Sequence, residues 1–268
     1  MNLLTSIGLT KNVITTVKFD NDININVNLN DWIQKQIYFF GWYELEKNET
    51  FFWKKLLNPD SVIFDIGANV GYYSLISARS IGPKGEIFAF EPVKQTFNKL
   101  QKNINLNDFK NITAENIAIS DKKGHITLYT ADETNIGTSS ITDHLNYSGE
   151  KLSVPSITLD EYLLDKDILK IDMIKIDVEG SEFNVLKGMA ETIKKFQPHI
   201  LIEILDEKLE AVNSNKEELY SFIENFSYQS FEIISSNTCL KLKTPIEGGL
   251  IVFKSSEKTF PPDIRVIE

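Results

Sequence analysis

The chain has 268 residues, a formal net charge of −10, and 42% hydrophobic and 25% charged side chains. This is an ordinary composition for a globular protein that can bury a sizeable core, and its acidity argues against a nucleic-acid polymer as partner, because phosphate backbones require a basic surface. Cys239 is the single cysteine, which excludes an intramolecular disulfide and a cysteine-rich metal centre.

Residues 1–10 lack the basic start and long apolar core of a signal peptide, and no run approaches the length of a membrane span, so a cytoplasmic protein is expected. Residues 13–29 alternate. Val13, Thr15, Val17 and Phe19 share a face, as do Ile23, Ile25, Val27 and Leu29 after the polar Asp20-Asn-Asp22, which predicts a hairpin. Asp31 is placed to cap a helix through Trp32, Ile33, Gln36, Ile37 and Phe40, and Gly41 to end it. Glu44 to Leu57 predicts a second helix, stopped by Asn58-Pro-Asp60. The dense aromatics here read as core packing against a sheet. Tyr43-Glu44 is the exception, being polar beside a glycine at a helix start.

Val62-Ile-Phe is a short apolar run rich in strand formers, as in a buried parallel strand, and Asp65 follows it. Gly67, Asn69 and Gly71 predict a tight turn, and Tyr72 to Arg79 the first turns of a helix. A strand, a glycine turn and a helix gather backbone N–H groups and a positive helix end around a ligand, and small turn residues let it approach the main chain. Glu86 to Glu91 is a second strand ending in a carboxylate, placed to accept hydrogen bonds from ribose hydroxyls. An acid before the first glycine would sit badly near a pyrophosphate, and G-x-G-x-x-G is absent. Asp-x-Gly-x-Asn-x-Gly suits instead a nucleoside with a cationic ammonium and sulfonium, S-adenosylmethionine.

Lys94 to Asn105 predicts a helix and Asn111 to Ile119 the third parallel strand, with Asn116 and Ala118 facing adenine as it ends. For Asn116 a plain polar residue at a strand end is the competing reading. Gly124 to Tyr129 is a short strand. Residues 131–156 form a polar loop, long enough to be a lid or a substrate wall; His144 within it reads as solvated rather than as a base. Thr158 and Glu161 form a capping box at the start of a helix. Met173, Ile174 and Ile176 make the fourth parallel strand, beside the first, so that Asp65 and Asp177 meet in the crevice where the strand order reverses. Residues 182–188 predict a helix, 198–204 the fifth strand with Glu203 near its end, 216–225 a helix, and 228–234 and 248–254 the last strands. Residues 1–60 are expected to form a cap and 61–268 the nucleoside-binding domain.

Several stretches resemble the FkbM family of S-adenosylmethionine-dependent methyltransferases: Gly41-Trp-Tyr-Glu44, Asp65-Ile-Gly-Ala-Asn-Val-Gly71, Phe90-Glu-Pro92, Gly137-Thr-Ser-Ser-Ile141, Thr158-Leu-Asp160 and Ile174-Lys-Ile-Asp-Val-Glu-Gly-Ser-Glu182. The resemblance runs from about residue 30 to about residue 206. It implies an α/β fold with the Rossmann-like class I methyltransferase sheet, seven strands with the last antiparallel, and methyl transfer to oxygen, often a hydroxyl of a sugar or natural product. Carried over, Gly67 and Gly71 shape the loop around the methionine half and Asp65 reaches the ammonium. Asn69 adds a polar contact, Glu91 holds the ribose, Asn116 and Ala118 sit by adenine, and Tyr43 and Glu44 close over the cofactor.

An aliphatic hydroxyl needs a base, or a metal, to become a nucleophile. Asp177 and Glu179 are the candidate acceptor-side groups, Asp177 as base. Glu179 reads equally as a first-turn acid complementing the helix dipole, and Glu182 reads so by preference. Asp177 with Glu203 could hold Mg²⁺, whose ligands are oxygens. The Asp-Asn pair of catechol-type metal enzymes is missing after the fifth strand, so no metal ligand is assigned. Asp177-Val-Glu-Gly stands where a nucleic-acid amine methylase has an Asn/Asp-Pro-Pro-aromatic run. A nicotinamide oxidoreductase on the same kind of sheet, and a non-catalytic S-adenosylmethionine-binding protein, remain as alternatives.

Overall fold

Two antiparallel strands, β1 (Ile14–Phe19) and β2 (Ile23–Asn28), open the computed structural model, which describes residues 13–129, 151–246 and 248–268. The inward row Ile23, Ile25 and Val27 is buried. Helix α1 (Trp32–Phe40) begins as its sequence dictates, with the Asp31 carboxylate accepting from Gln34 N at 2.9 Å. It ends at left-handed Gly41, whose N–H donates to Ile37 O at 2.9 Å. The expected single helix after it is two pieces, a 3₁₀ turn (Glu44–Glu46) and α2 (Lys47–Leu56).

The main sheet then builds by strand–helix repetition: β3 (Val62–Ile66), α3 (Tyr72–Ile81), β4 (Glu86–Phe90), α4 (Lys94–Asn105) and β5 (Ile112–Glu115). The chain next leaves this sheet. β6 (Ala118–Ile119), β7 (Gly124–Tyr129) and β8 (Lys151–Ile157) form a separate three-stranded flap, ordered β6-β8-β7. The expected third strand through Ile119 is therefore divided between two sheets. The segment expected as loop up to Ser156 becomes strand from Lys151, while His144 and residues 137–141 lie outside the described residues.

After α5 (Leu159–Tyr162), capped by Thr158 accepting from Glu161 N at 3.0 Å, come β9 (Met173–Ile176), α6 (Glu182–Lys187), α7 (Ala190–Phe196) and β10 (His199–Ile204). The chain closes with α8 (Asp206–Ala211), α9 (Lys216–Glu224), β11 (Tyr228–Ser235), β12 (Thr238–Lys241), β13 (Gly249–Ser255) and β14 (Arg265–Ile267). The order is β14-β12-β11-β13-β10-β9-β3-β4-β5, nine strands among the described residues. β5, β4, β3, β9 and β10 are parallel, and β13 runs antiparallel between β10 and β11. The sheet thus has nine strands where seven were expected, the additional ones, β12 and β14, being too short to show periodicity in the sequence.

Alternation along β3 splits the core. Ile63 packs with β1, β2, α2 and α3 on one face, while Phe64 packs with α6, α7 and α9 on the other. The first cluster unites Phe19, Ile25 and Val27 with Ile63, Ile76 and Met173, so it crosses the expected boundary at residue 60. Side-chain amides add to the seam: Asn24 N donates to Asn107 Oδ1 at 2.9 Å and Asn26 N to Asn103 Oδ1 at 2.8 Å, satisfying the outer edge of β2. Among the described residues no helix is long and apolar enough to cross a membrane.

Candidate active site

The carboxyl ends of β3, β4 and β9 meet at one crevice. Strand pairing continues past their ends: Gly67 N and Ala68 N donate to Phe90 O at 3.0 and 2.9 Å, and Asp177 N donates to Ile66 O at 3.0 Å. Gly67, Asn69 and Gly71 are all left-handed, with φ of 83°, 50° and 96°. The room left by Gly67 is taken by protein, not left for a ligand: a Cβ there would lie 1.9 Å from Asp177 O. Its glycine is what lets the turn lie against the exit of β9.

Two cavities open off this turn. The larger, about 720 Å³, is lined by Ile66, Phe90, Glu91 and Ile117 and by Ala118, Ile126 and Leu128 of the flap. The smaller, about 380 Å³, is lined by Tyr43, Glu46, Asp65, Tyr73 and Lys175. Gly67, Asn69 and Asp177 belong to both.

Glu91 is buried. Its Oε2 accepts from Asn69 N at 3.0 Å and its Oε1 from Val93 N at 2.9 Å, which leaves each oxygen a second acceptor direction. Burial pushes its pKa up to about 7 against the pull of those two amides. Asp65 accepts from Ser74 Oγ at 2.5 Å through Oδ2, while its buried Oδ1 has no hydrogen-bond partner. Burial, the main influence, raises its pKa.

Lys175 is sealed from solvent on β9. Its Nζ lies 2.8 Å from Asp177 Oδ2 and 4.7 Å from the centre of the Tyr73 ring. Burial alone would favour the neutral amine, but Asp177, Asp65 and Glu46 outweigh it and hold the pKa above the ordinary lysine value. Conversely, burial works to raise Asp177, and Lys175 overrides it and keeps that carboxylate ionised. Behind Asp177, Lys208 Nζ pairs with Glu179 and lies 3.4 Å from Glu203 Oε2. Burial raises the pKa of both acids, Glu179 to about 7 and Glu203 to about 9. Glu179 sits at φ 59°, an uncommon conformation for a residue with a side chain, costing on the order of 1–2 kcal/mol. Glu182 braces this loop, its Oε1 accepting from Gly180 N at 2.9 Å.

Of the residues singled out in the sequence, Tyr43, Asp65, Gly67, Asn69, Glu91, Ala118, Asp177 and Glu179 line one cavity or both. Gly71 lies behind the turn, where a Cβ would press on Leu100 Cδ1 at 2.7 Å. Asn116 is not among the residues lining either cavity; its Nδ2 donates to Glu91 O and Pro92 O, both at 2.9 Å, tying down the chain after β4. Glu44 also lies outside both cavities, half-exposed and held by Trp42 Nε1 and by Lys47 at 3.7 Å. Glu46 lines the smaller cavity instead; it accepts from Tyr73 OH at 2.8 Å, and burial lifts its pKa to about 7. In a 3₁₀ turn positions three apart eclipse, which puts Glu46, not Glu44, on the face of Tyr43. The sequence reading also passed over Lys175, Lys208 and the flap residues Ile126 and Leu128. For the last two, the alternation within Gly124–Tyr129 was the available signal.

The model of the methyltransferase FkbM domain matches residues 65–230, more than half of the chain. The protein belongs to the FkbM methyltransferase family. Among curated relatives of this FkbM chain, Methyltransferase 1 of Beauveria bassiana is 29% identical over 166 residues, covering 56% of this chain and 66% of that one. The hexuronic acid methyltransferase AglP of Haloferax volcanii is 27% identical over 145 residues, covering 54% and 56%. The matched region thus spans a little over half to about two thirds of those relatives. Of solved structures, an FkbM methyltransferase from Methylobacillus flagellatus aligns with a TM-score of 0.47 and 17% identity, over 74% of this chain and 44% of that one.

Proposed function

We propose that this FkbM protein is an S-adenosylmethionine-dependent O-methyltransferase acting on a hydroxyl of a sugar, glycan or natural-product-like small molecule. The observation that carries this reading is the pair of cavities meeting at Gly67, Asn69 and Asp177: one with the buried carboxylate of Glu91, the other with the orphaned carboxylate oxygen of Asp65. A purine fits the walls made by Ile117, Ala118, Ile126 and Leu128, and ribose hydroxyls fit the free acceptor directions of Glu91. An ammonium fits Asp65 Oδ1, whose burial without a partner is otherwise a cost of roughly 1–3 kcal/mol. Glu46 and Tyr43 line the same cavity as Asp65. A sugar-class acceptor draws support from the hexuronic acid methyltransferase among the relatives.

S-adenosylmethionine held by these residues would supply an electrophilic methyl group, the C–S electron pair staying on sulfur as the acceptor oxygen gains its C–O bond. The chain's part is alignment and proton removal. Asp177, at the waist between the cavities, accepts the hydroxyl proton. Its ionised state is secured by Lys175. A weakly basic carboxylate suffices, because the hydroxyl becomes strongly acidic as its oxygen is alkylated.

The test is calorimetric titration with S-adenosylmethionine and with NADH, followed by tritiated methyl transfer to nucleotide sugars, hexuronic acids, glycans and hydroxylated metabolites. S-adenosylmethionine binding with labelled product is expected, and Asp177→Asn should lower kcat by roughly a hundredfold or more while leaving cofactor binding. NADH binding in its place refutes the cofactor assignment, and cofactor binding without product on any acceptor refutes the catalytic one.

A further inference from the structure

The acceptor side of the crevice holds more acid than a proton-accepting site needs. Oxygens of Asp177, Glu179 and Glu203 lie within 4.8 Å of one another, a spacing at which a divalent cation would bridge them. Two ammonium groups already serve these acids. Lys175 is bonded to Asp177, and Lys208, on α8, is paired with Glu179 and lies 3.4 Å from Glu203.

Resting on the methyltransferase reading above, we propose that Lys208 is a positioning residue: its tethered ammonium does for the acceptor-side carboxylates what a bound divalent cation would otherwise do, so that transfer needs no metal.

The fold is built around this contact. A Cβ on Gly180 would lie 2.6 Å from Lys208 O, so the Asp177-Val-Glu-Gly loop touches the backbone of α8 at Lys208 itself. The Lys208 side chain is only 17% exposed, so its charge acts through little water. Glu179 is held at φ 59° beside it, braced from behind by the Glu182 bond to Gly180 N. An ammonium offers three donors, and Glu179 and Glu203 take two directions from it. A divalent ion would have to displace this cation from the same oxygens and then share their field with it. Without Lys208, three carboxylates would face one another with Lys175 alone against them, which is the setting that recruits a cation.

Lys208→Met and Lys208→Arg test this. The readouts are Mn²⁺ binding followed by electron paramagnetic resonance, and tritiated methyl transfer with EDTA or Mn²⁺. Wild type should bind Mn²⁺ weakly and turn over unchanged in EDTA. Lys208→Met should bind Mn²⁺ at least about tenfold more tightly, lose kcat roughly a hundredfold in EDTA with the KM for S-adenosylmethionine little altered, and recover in part with Mn²⁺. Lys208→Arg should behave as wild type, and should carry the comparison if the methionine variant does not fold. A wild type that stops in EDTA and restarts with Mn²⁺ overturns the proposal, as does a Lys208→Met enzyme of full activity, or one that neither gains Mn²⁺ nor is rescued by it. Mn²⁺ binding needs no acceptor, so failure to find a methyl acceptor leaves this comparison intact and counts against the proposed function alone.

Discussion

Lys175 and Asp65 are register partners on the adjacent parallel strands β9 and β3, a buried cation beside a buried acid, with Asp177 two positions along on the same strand face as Lys175. One lysine therefore compensates two carboxylates. Lys175→Met should destabilise the protein by about 3–5 kcal/mol at pH 8, because it leaves buried charge uncompensated. The sign with pH follows. Deprived of the ammonium, both acids take higher folded pKa values than unfolded ones, so stability is retained at low pH and lost as pH rises. Urea denaturation at pH 5 and pH 8 should show the variant closer to wild type at pH 5; an equal deficit at both would refute the pairing.

Cofactor affinity should climb between pH 6 and pH 8. Glu91 is lifted by burial to about 7, and ribose hydroxyls donate better to its ionised form. Glu46, also near 7, attracts an ammonium only when ionised, so both act with the same sign. A rise of roughly tenfold is expected from a group ionising across this window. Without ligand the linkage is the reverse: each acid contributes stability below its ordinary pKa near 4.5, and this is lost as pH rises through 7. Calorimetry with S-adenosylmethionine at pH 6, 7 and 8 measures the first effect, and Glu91→Gln should flatten the curve.

Gly67→Ala should unfold or severely weaken the protein, by roughly 3 kcal/mol or more, combining a left-handed φ of 83° with a backbone clash at 1.9 Å. Gly41→Ala has the same sign of φ but meets nothing within 4 Å, so it should cost only about 1 kcal/mol. Thermal melts of the two variants separate steric from conformational causes; equal shifts would show that the contact with Asp177 is immaterial.

Asn103 joins the hairpin to the glycine turn, accepting from Asn26 N and donating to Val70 O, both at 2.8 Å. Asn103→Leu orphans both backbone groups and should cost roughly 2–4 kcal/mol. Because Val70 lies within the turn, the KM for S-adenosylmethionine should also rise. A stability loss with unchanged cofactor binding would mean that the hairpin does not steady that turn.

What the sequence revealed was what is local. The β1–β2 alternation, the Asp31 cap, the Gly41 stop and the strand–turn pattern around Asp65 each lie within a few residues, and each is present in the structure. Residues whose meaning depends on distant partners were not legible. Lys208 has its role from Glu179 and Glu203, and Glu46 from a 3₁₀ turn that the helix-like pattern concealed. Asn116 looked available as a strand-end amide until its partners, the carbonyls of Glu91 and Pro92, were in view. The departure of β6 from the main sheet likewise depends on pairing with β8, over 30 residues away.

Gly67, Asn69 and Asp177 form a waist common to both cavities, and this bears on how such an enzyme can diversify. A change at the waist is felt twice, by whatever lies on either side, so drift there is doubly penalised. The outlying walls, Ile33 and Tyr43 at one end and Ile126 and Leu128 at the other, each border a single cavity, so a change there is felt once and drift is cheaper.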